Sequence, residues 1–205
     1  IYNVFCSFRA FRSIPGLGGP FTTKAQSGGG VLIDWGVHYL DLILYVLGNP
    51  KIETASCDAY CEMAKDMKSY KYRGMWAENT KDLNGTNDVD DYIAGHIRTE
   101  KASITFVGAW AQNIDKDEDF IDFLGDKAGA RLTYGESFVL YDGATLGSIV
   151  PEVEKNNQYL TENEAFIKAI STGEKGRSYI DNILPTARLL DALYESAAKR
   201  REVVL

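Results

Sequence analysis

Hydrophobic and polar residues along the chain fall into blocks of two periods. IYNVFCSFRAFR, residues 1–12, is rich in aromatic and β-branched residues and predicts a strand, ended by a breaker cluster from Ser13 to Pro20. GGGVLIDWGVHYLDLILYVLG, residues 28–48, is apolar on nearly every side. It predicts an interior helix of about five turns, with Ser27 as N-cap and Gly48 as its stop. KIETASCDAYC, from Lys51, predicts another strand, and the polar stretch 63–87, which contains GMWAENTKDLNGTND, an inserted loop. Strand patterns then follow at 89–99, 102–113, 119–126, 130–135 and 137–143, across turns too short for crossover helices. Helical patterns at 162–172 and 182–199 and a closing strand, REVVL, complete the chain. The order predicts an α+β fold: a large, predominantly antiparallel β-sheet with helices packed on one face and the other face available for oligomerisation.

The 205 residues, 45% of them hydrophobic, suffice for one large domain, 1–205. A net charge of -7 leaves no basic surface for nucleic acid or an anionic bilayer, so the expected partners are small molecules or other proteins. No apolar run reaches the roughly 18 uninterrupted residues of a membrane span, because Asp34, His38 and Asp41 break the greasiest stretch. Cys6, Cys57 and Cys61 are too few for a disulfide framework and lack the second pair of a zinc site. They are expected to be ordinary thiols. The chain opens at Ile1 inside a strand-like run, which suggests a piece of something longer; any targeting signal lies out of view, and a cytoplasmic location is the expectation.

No glycine cluster in the sequence has the setting of a phosphate cradle. PGLGGP at 15–20 has prolines on both sides and no helical pattern behind it, and Gly28, Gly29 and Gly30 precede a helix without a strand immediately before them or a following G-K-[ST].

The unusual feature is a polar column. Asp34, His38 and Asp41 are spaced four and three apart, so on a helix they share one face, with Tyr45 a turn further on. A carboxylate buried without a partner costs several kcal/mol, so the column must pair internally, face a cleft or hold a ligand. One reading is a satisfied core network. The other is general acid–base chemistry, with an imidazole of ordinary pKa about 6.5 kept ready for proton exchange by a neighbouring carboxylate. Glycines at the helix entrance favour the second reading, since bare backbone admits a bulky ligand. A metal site would lack a second histidine, His96 being in a distant strand, and none is expected.

These residues resemble the signature of the glucose-fructose oxidoreductase, inositol dehydrogenase and MocA family, in which a glycine-led helix carries an Asp and a His four apart. VDDYIAGHIRTEKASITFVGAWAQN, DFIDFLGDKAGARL and the last helix with REVVL are similar to the family's sheet and C-terminus. The resemblance implies the C-terminal domain of a two-domain NAD- or NADP-dependent oxidoreductase, its N-terminal Rossmann domain lying outside this chain. It implies that His38 is the proton donor or acceptor at a sugar or cyclitol hydroxyl and that Asp34 assists. The family's catalytic lysine, in a Glu-Lys-Pro motif, belongs to the other domain, and no such motif occurs here. The fragment alone is therefore expected to hold no dinucleotide and to be inactive, with NAD or NADP held mainly elsewhere and Gly28, Gly29 and Gly30 contributing close approach at most.

Arg9, Lys24, Asp41 and Trp35 are further candidates for holding the substrate: the cations for an anionic or hydroxylated group, Trp35, like Tyr39, for stacking on a sugar ring. Each has a plainer role as a surface cation or a packing residue. Trp110 is expected in the core or an interface, and the charge run NIDKDEDF, 113–120, as a solvated loop. A homodimer or homotetramer through the sheet face is expected. The alternative function is a sugar-sensing regulator on the same scaffold; the retained Asp34 and His38 favour chemistry.

Overall fold

The computed structural model describes residues 1–73 and 80–205; residues 74–79, the GMWAEN of the expected inserted loop, lie outside the described residues. The sheet is built from β1 (Asn3–Arg9), β2 (Ile52–Tyr60), β3 (Tyr92–Thr99), β4 (Ser103–Ala109), β5 (Glu118–Leu124), β6 (Ala128–Thr133), β7 (Ser137–Asp142), β8 (Ser148–Ile149) and β9 (Val203–Val204). Its order is β8-β7-β6-β5-β1-β4-β3-β2-β9. The predicted run of strands from 89 onward is present but not contiguous. β1 lies between β4 and β5, antiparallel to β5 and parallel to β4, so the sheet is mixed while remaining mostly antiparallel. The connection from Trp110 to Asp117 is long enough to step over one strand, which a tight hairpin is not.

Alternation places Val4, Cys6 and Phe8 of β1 inward, where they join Ile93, Ile97, Ile104, Phe106 and Ile121 in one core. Two helices cover that face. One is α2 (Val37–Leu47), which buries Leu40, Ile43, Leu44 and Leu47; the other is α4 (Ile180–Lys199), which buries Leu189 and Leu193. The intervening helix, α3 (Gln158–Thr172), buries none of its residues. Burying a leucine or isoleucine side chain is worth roughly 1.5–3 kcal/mol, so this apolar layer holds the sheet and helices together.

The predicted helix begins differently from expectation. A short α1 (Lys24–Ser27) ends at Gly28, whose φ of 80° is left-handed, so Ser27 is the last residue of one helix and not the cap of the next. The chain turns helical again at Val31, passes through a π-helical turn, Leu32–Gly36, and only then becomes α2. Segment 24–47 is apolar and long enough to cross a bilayer by composition. It is interrupted at Gly28, and its apolar residues are spent on the sheet. Gly48, at φ 79°, closes α2 as predicted, its N–H bonding the carbonyls of Leu44 and Tyr45.

The described parts of the stretch 63–87 are stitched to the segment after β1. The hydroxyls of Tyr70 and Tyr72 accept from the backbone N–H groups of Ile14 and Leu17 at 3.3 and 3.2 Å. Bridges join Leu17 to Lys81 and Gly18 to Thr86.

Candidate active site

A π-helical turn adds one residue to the helical repeat, and this one spans Asp34. The three polar residues of the column consequently meet three different surroundings. Asp34, half-buried, accepts a hydrogen bond from the indole Nε1 of Trp110 at 2.9 Å. Trp110 is fully buried, so this bond ties the helix to the end of β4. Burial pushes the Asp34 carboxyl above its ordinary value, and the indole bond and the nearby charge of His38 partly offset that. His38 itself is exposed. Asp41 accepts from the Thr186 hydroxyl at 2.7 Å and thereby joins α2 to α4.

His38 stands at the wall of an open pocket of about 300 Å³, a size within the usual range of small-molecule sites. Trp35 and the edge of Tyr39 share the helical side of that pocket, and Phe8 and Tyr134 the sheet side. The aromatic rings form a continuous wall: Phe8 stacks on Tyr39 with centroids 4.6 Å apart, and Tyr39 meets Tyr134 at 5.1 Å.

The polar side of the pocket comes from Arg9, the last residue of β1, and from Asp117, Glu118 and Asp119 at the start of β5. Arg9 is ion-paired with Glu118, and the Ser7 hydroxyl also donates to Glu118, at 2.9 Å. The Arg9 guanidinium holds the Glu118 carboxyl below its ordinary value. Asp117 accepts from the N–H of Phe11 at 2.8 Å. The charge run expected to be a solvated loop thus supplies three acids to the pocket, Glu118 and Asp119 within a strand. Its sequence carries no sign of this, because charged residues beside a turn look alike whether they meet water or a cleft.

Of the residues singled out in the sequence, Arg9, Trp35 and His38 line one pocket, with Asp34 just behind them. Lys24 and Asp41 are elsewhere. Lys24 is exposed, its backbone N–H held by Asp88 at 2.7 Å, and Asp41 is taken up by Thr186. The glycine-led entrance has reasons internal to the chain. A Cβ on Gly30 would stand 1.9 Å from the Asp90 carbonyl oxygen, and one on Gly29 would stand 2.1 Å from the Tyr194 hydroxyl. The close approach these glycines permit is to the protein's own residues.

Asp90 escaped the sequence reading. Its carboxylate accepts from the N–H groups of Gly30 and Leu32, each at 2.9 Å, and from the Tyr194 hydroxyl at 2.8 Å. Its own carbonyl accepts from Val31. An acid carried in from the start of β3 therefore caps the helix bearing Asp34 and His38, satisfying donors that a local cap would normally serve. The only sequence signal is the Asp-Asp pair at 90–91 beside an apolar strand.

The fold has counterparts among known proteins. Residues 22–205 match the family model described as "Oxidoreductase family, C-terminal alpha/beta domain". D-glucoside 3-dehydrogenase of Escherichia coli K12 is 31% identical over 96% of the chain and 55% of its own length. A putative UDP-kanosamine synthase oxidoreductase subunit of Amycolatopsis mediterranei is 26% identical over 93% of the chain and 55% of its own length. The chain thus spans about half the length of these curated relatives. Among solved structures, the aldose-aldose oxidoreductase of Caulobacter crescentus complexed with glycerol superposes with a TM-score of 0.78 at 17% identity, covering 100% of this chain and 55% of that one. Levoglucosan dehydrogenase in complex with NADH and levoglucosan gives 0.76 at 17%, covering 100% and 58%. The chain belongs to the glucose-fructose oxidoreductase, inositol dehydrogenase and MocA family, and forms the family's C-terminal alpha/beta domain.

Proposed function

We propose that this chain is the substrate-binding and proton-transferring part of an NAD- or NADP-dependent oxidoreductase that interconverts a secondary alcohol and a ketone on a sugar, cyclitol or related polyol. The observation that carries the proposal is the placement of His38, exposed at the wall of an open pocket, four residues after a half-buried Asp34 that is locked to Trp110. Oxidising a secondary alcohol needs a base for the hydroxyl proton, and His38, at the wall of the cavity, can take it and give it back. Asp34 orients this end of the helix through its bond to the Trp110 indole.

The remaining polar groups suit a neutral, hydroxyl-rich substrate better than an anion. Three acids face the pocket against one guanidinium, and that guanidinium is already paired with Glu118. Hydroxyl donors satisfy carboxylates, whereas a carboxylate or phosphate substrate would meet like charge. Phe8, Tyr39 and Tyr134 offer the C–H face of a sugar ring an apolar wall. The similarity to a D-glucoside 3-dehydrogenase supports a glucoside or close analogue.

When bound, a nicotinamide supplies the hydride acceptor. The residues present do not form a cradle for its pyrophosphate, since Gly29 and Gly30 are filled against Tyr194 and Asp90. We assign that role to a Rossmann domain in the part of the relatives' length that this chain does not span, and a cytoplasmic location accompanies the reading. A homodimer or homotetramer through the free sheet face completes it.

The test is His38→Asn in the intact protein. Oxidation of a methyl glucoside followed by NADH or NADPH absorbance should fall by about 10²-fold or more, with substrate binding retained. An unchanged rate removes His38 from the chemistry. Ligand-dependent regulation that persists in His38→Asn, in a protein without turnover, establishes the sensing alternative.

A further inference from the structure

Asp119 stands at a position that the strand pattern assigns to the core. In β5 the alternate residues Ile121 and Phe123 are buried, and Asp119 shares their face of the sheet. Its cross-strand partner on β1 is Phe8, 1% exposed, and on its other side the N–H of Tyr134 donates to its carbonyl at 2.9 Å. Asp119 thus sits between two residues whose rings line the His38 pocket. The other acids of the site are engaged: Asp34 by the Trp110 indole, Glu118 by Arg9 and Ser7, and Asp117 by the N–H of Phe11. Among the described residues no group donates a hydrogen bond to the Asp119 carboxylate. Partial burial, with the charges of Glu136 and Asp117, pushes this carboxyl above its ordinary value. An acid on the apolar face of a strand, with no donor of its own, breaks the local pattern, and such breaks concentrate at functional sites. Its side chain is open at the pocket, so the missing donors can come from a ligand.

We propose that Asp119 is a specificity-determining residue: its two carboxylate oxygens receive two hydroxyls of the sugar other than the one that reacts at His38, and its charge turns away sugars bearing a carboxylate or phosphate. One carboxylate has the acceptors for two O–H donors, and hydroxyls donating to an ionised oxygen make the stronger class of hydrogen bond. Phe8 and Tyr134, on either side, would support the C–H face of the same ring. The inference rests on the reading of the His38 pocket as a sugar site and adds which residue chooses among sugars.

The experiment compares the intact parent with Asp119→Ala and Asp119→Asn, folding being checked by circular dichroism. NADH or NADPH absorbance is followed with methyl β-D-glucoside, its monodeoxy analogues and methyl β-D-glucuronide. Apart from the analogue that lacks the reacting hydroxyl, loss of either of two hydroxyls should cost the parent about tenfold or more in kcat/KM and leave Asp119→Ala nearly indifferent. The preference for glucoside over glucuronide, as a ratio of kcat/KM, should fall by about tenfold or more in Asp119→Ala. Asp119→Asn keeps one acceptor and loses the charge. It should admit the glucuronide as the alanine variant does while keeping part of the response to deoxygenation, and, being nearly isosteric, it carries the charge comparison if Asp119→Ala does not fold. A merely structural role lowers all substrates in proportion and leaves both ratios as in the parent; that result overturns the assignment of Asp119, and continued glucoside oxidation leaves the proposed function standing. A parent that neither oxidises methyl β-D-glucoside nor binds it by isothermal titration calorimetry removes the sugar reading and this inference with it.

Discussion

Asp91 shows what a buried acid does to stability when one of its oxygens lacks a donor. Burial is the largest influence on its carboxyl and pushes it from an ordinary 3.8 up to about 6, against the two N–H bonds from Met63 and Glu62. The folded state therefore keeps a proton that the unfolded chain releases near pH 4. Stability from this group is present below pH 4, declines as the pH rises toward 6, and is flat above that. The difference amounts to about 3 kcal/mol at neutral pH. Asp91→Asn keeps an acceptor for the two N–H groups and cannot ionise. Urea unfolding should show the variant equal to the parent near pH 4 and more stable by about 1–3 kcal/mol at pH 7. A difference that does not vary with pH would mean that Asp91 does not carry this proton. At this scale the sequence was informative where chemistry contradicts its neighbours: Asp34 and His38 stand out because their stretch is otherwise apolar. Asp117, Glu118 and Asp119 did not stand out, because their neighbours are charged too.

At the scale of elements, the helix bearing Asp34 and His38 is held by a residue far from it in sequence. Asp90 meets Gly30, Leu32 and Tyr194, so removing its carboxylate strands three donors at once. Each buried unsatisfied group costs roughly 1–3 kcal/mol. Asp90→Ala should therefore lower thermal stability by about 3 kcal/mol or more, and Asp90→Asn by less, as followed by circular dichroism. Gly30→Ala should destabilise comparably, since its methyl group would meet backbone and not a side chain that can turn aside. Equal stability of Asp90→Ala and the parent would show that the cap is dispensable. The existence of this helix and its end at Gly48 were legible from apolar pattern and glycine placement. Its beginning was not, because Ser27 has the chemistry of a local cap, while the donors are satisfied by an acid 60 residues away, just before β3. Strand order failed for a related reason: alternation identifies β1 as a strand but carries no information about which two strands it will enter between.

For the whole molecule, the sheet has one face covered by α2 and α4 and another on which no helix packs among the described residues. The free face carries Phe5, 37% exposed, against Phe120 at 5.9 Å, with the Arg131 guanidinium 4.1 Å above the Phe120 ring and doubly hydrogen-bonded to Asp122 at 2.6 Å. A sheet face bearing aromatic rings and neutralised charges is suited to a self-complementary contact, in which the same patch of two copies meets across a twofold axis. Phe5→Lys tests that contact without disturbing the fold: Phe5 points away from the core, and its cross-strand partner is Asp122, so a lysine there gains an opposite charge within one chain. Across a twofold interface the same substitution places two ammonium groups in a desolvated patch, where neither can remain hydrated. Sedimentation velocity of the intact protein at micromolar concentration should show the parent as a dimer or tetramer and Phe5→Lys one association step smaller, with an unchanged circular dichroism spectrum. An unmodified protein that sediments as a monomer, or a Phe5→Lys variant that stays assembled, would place the contact somewhere other than this face.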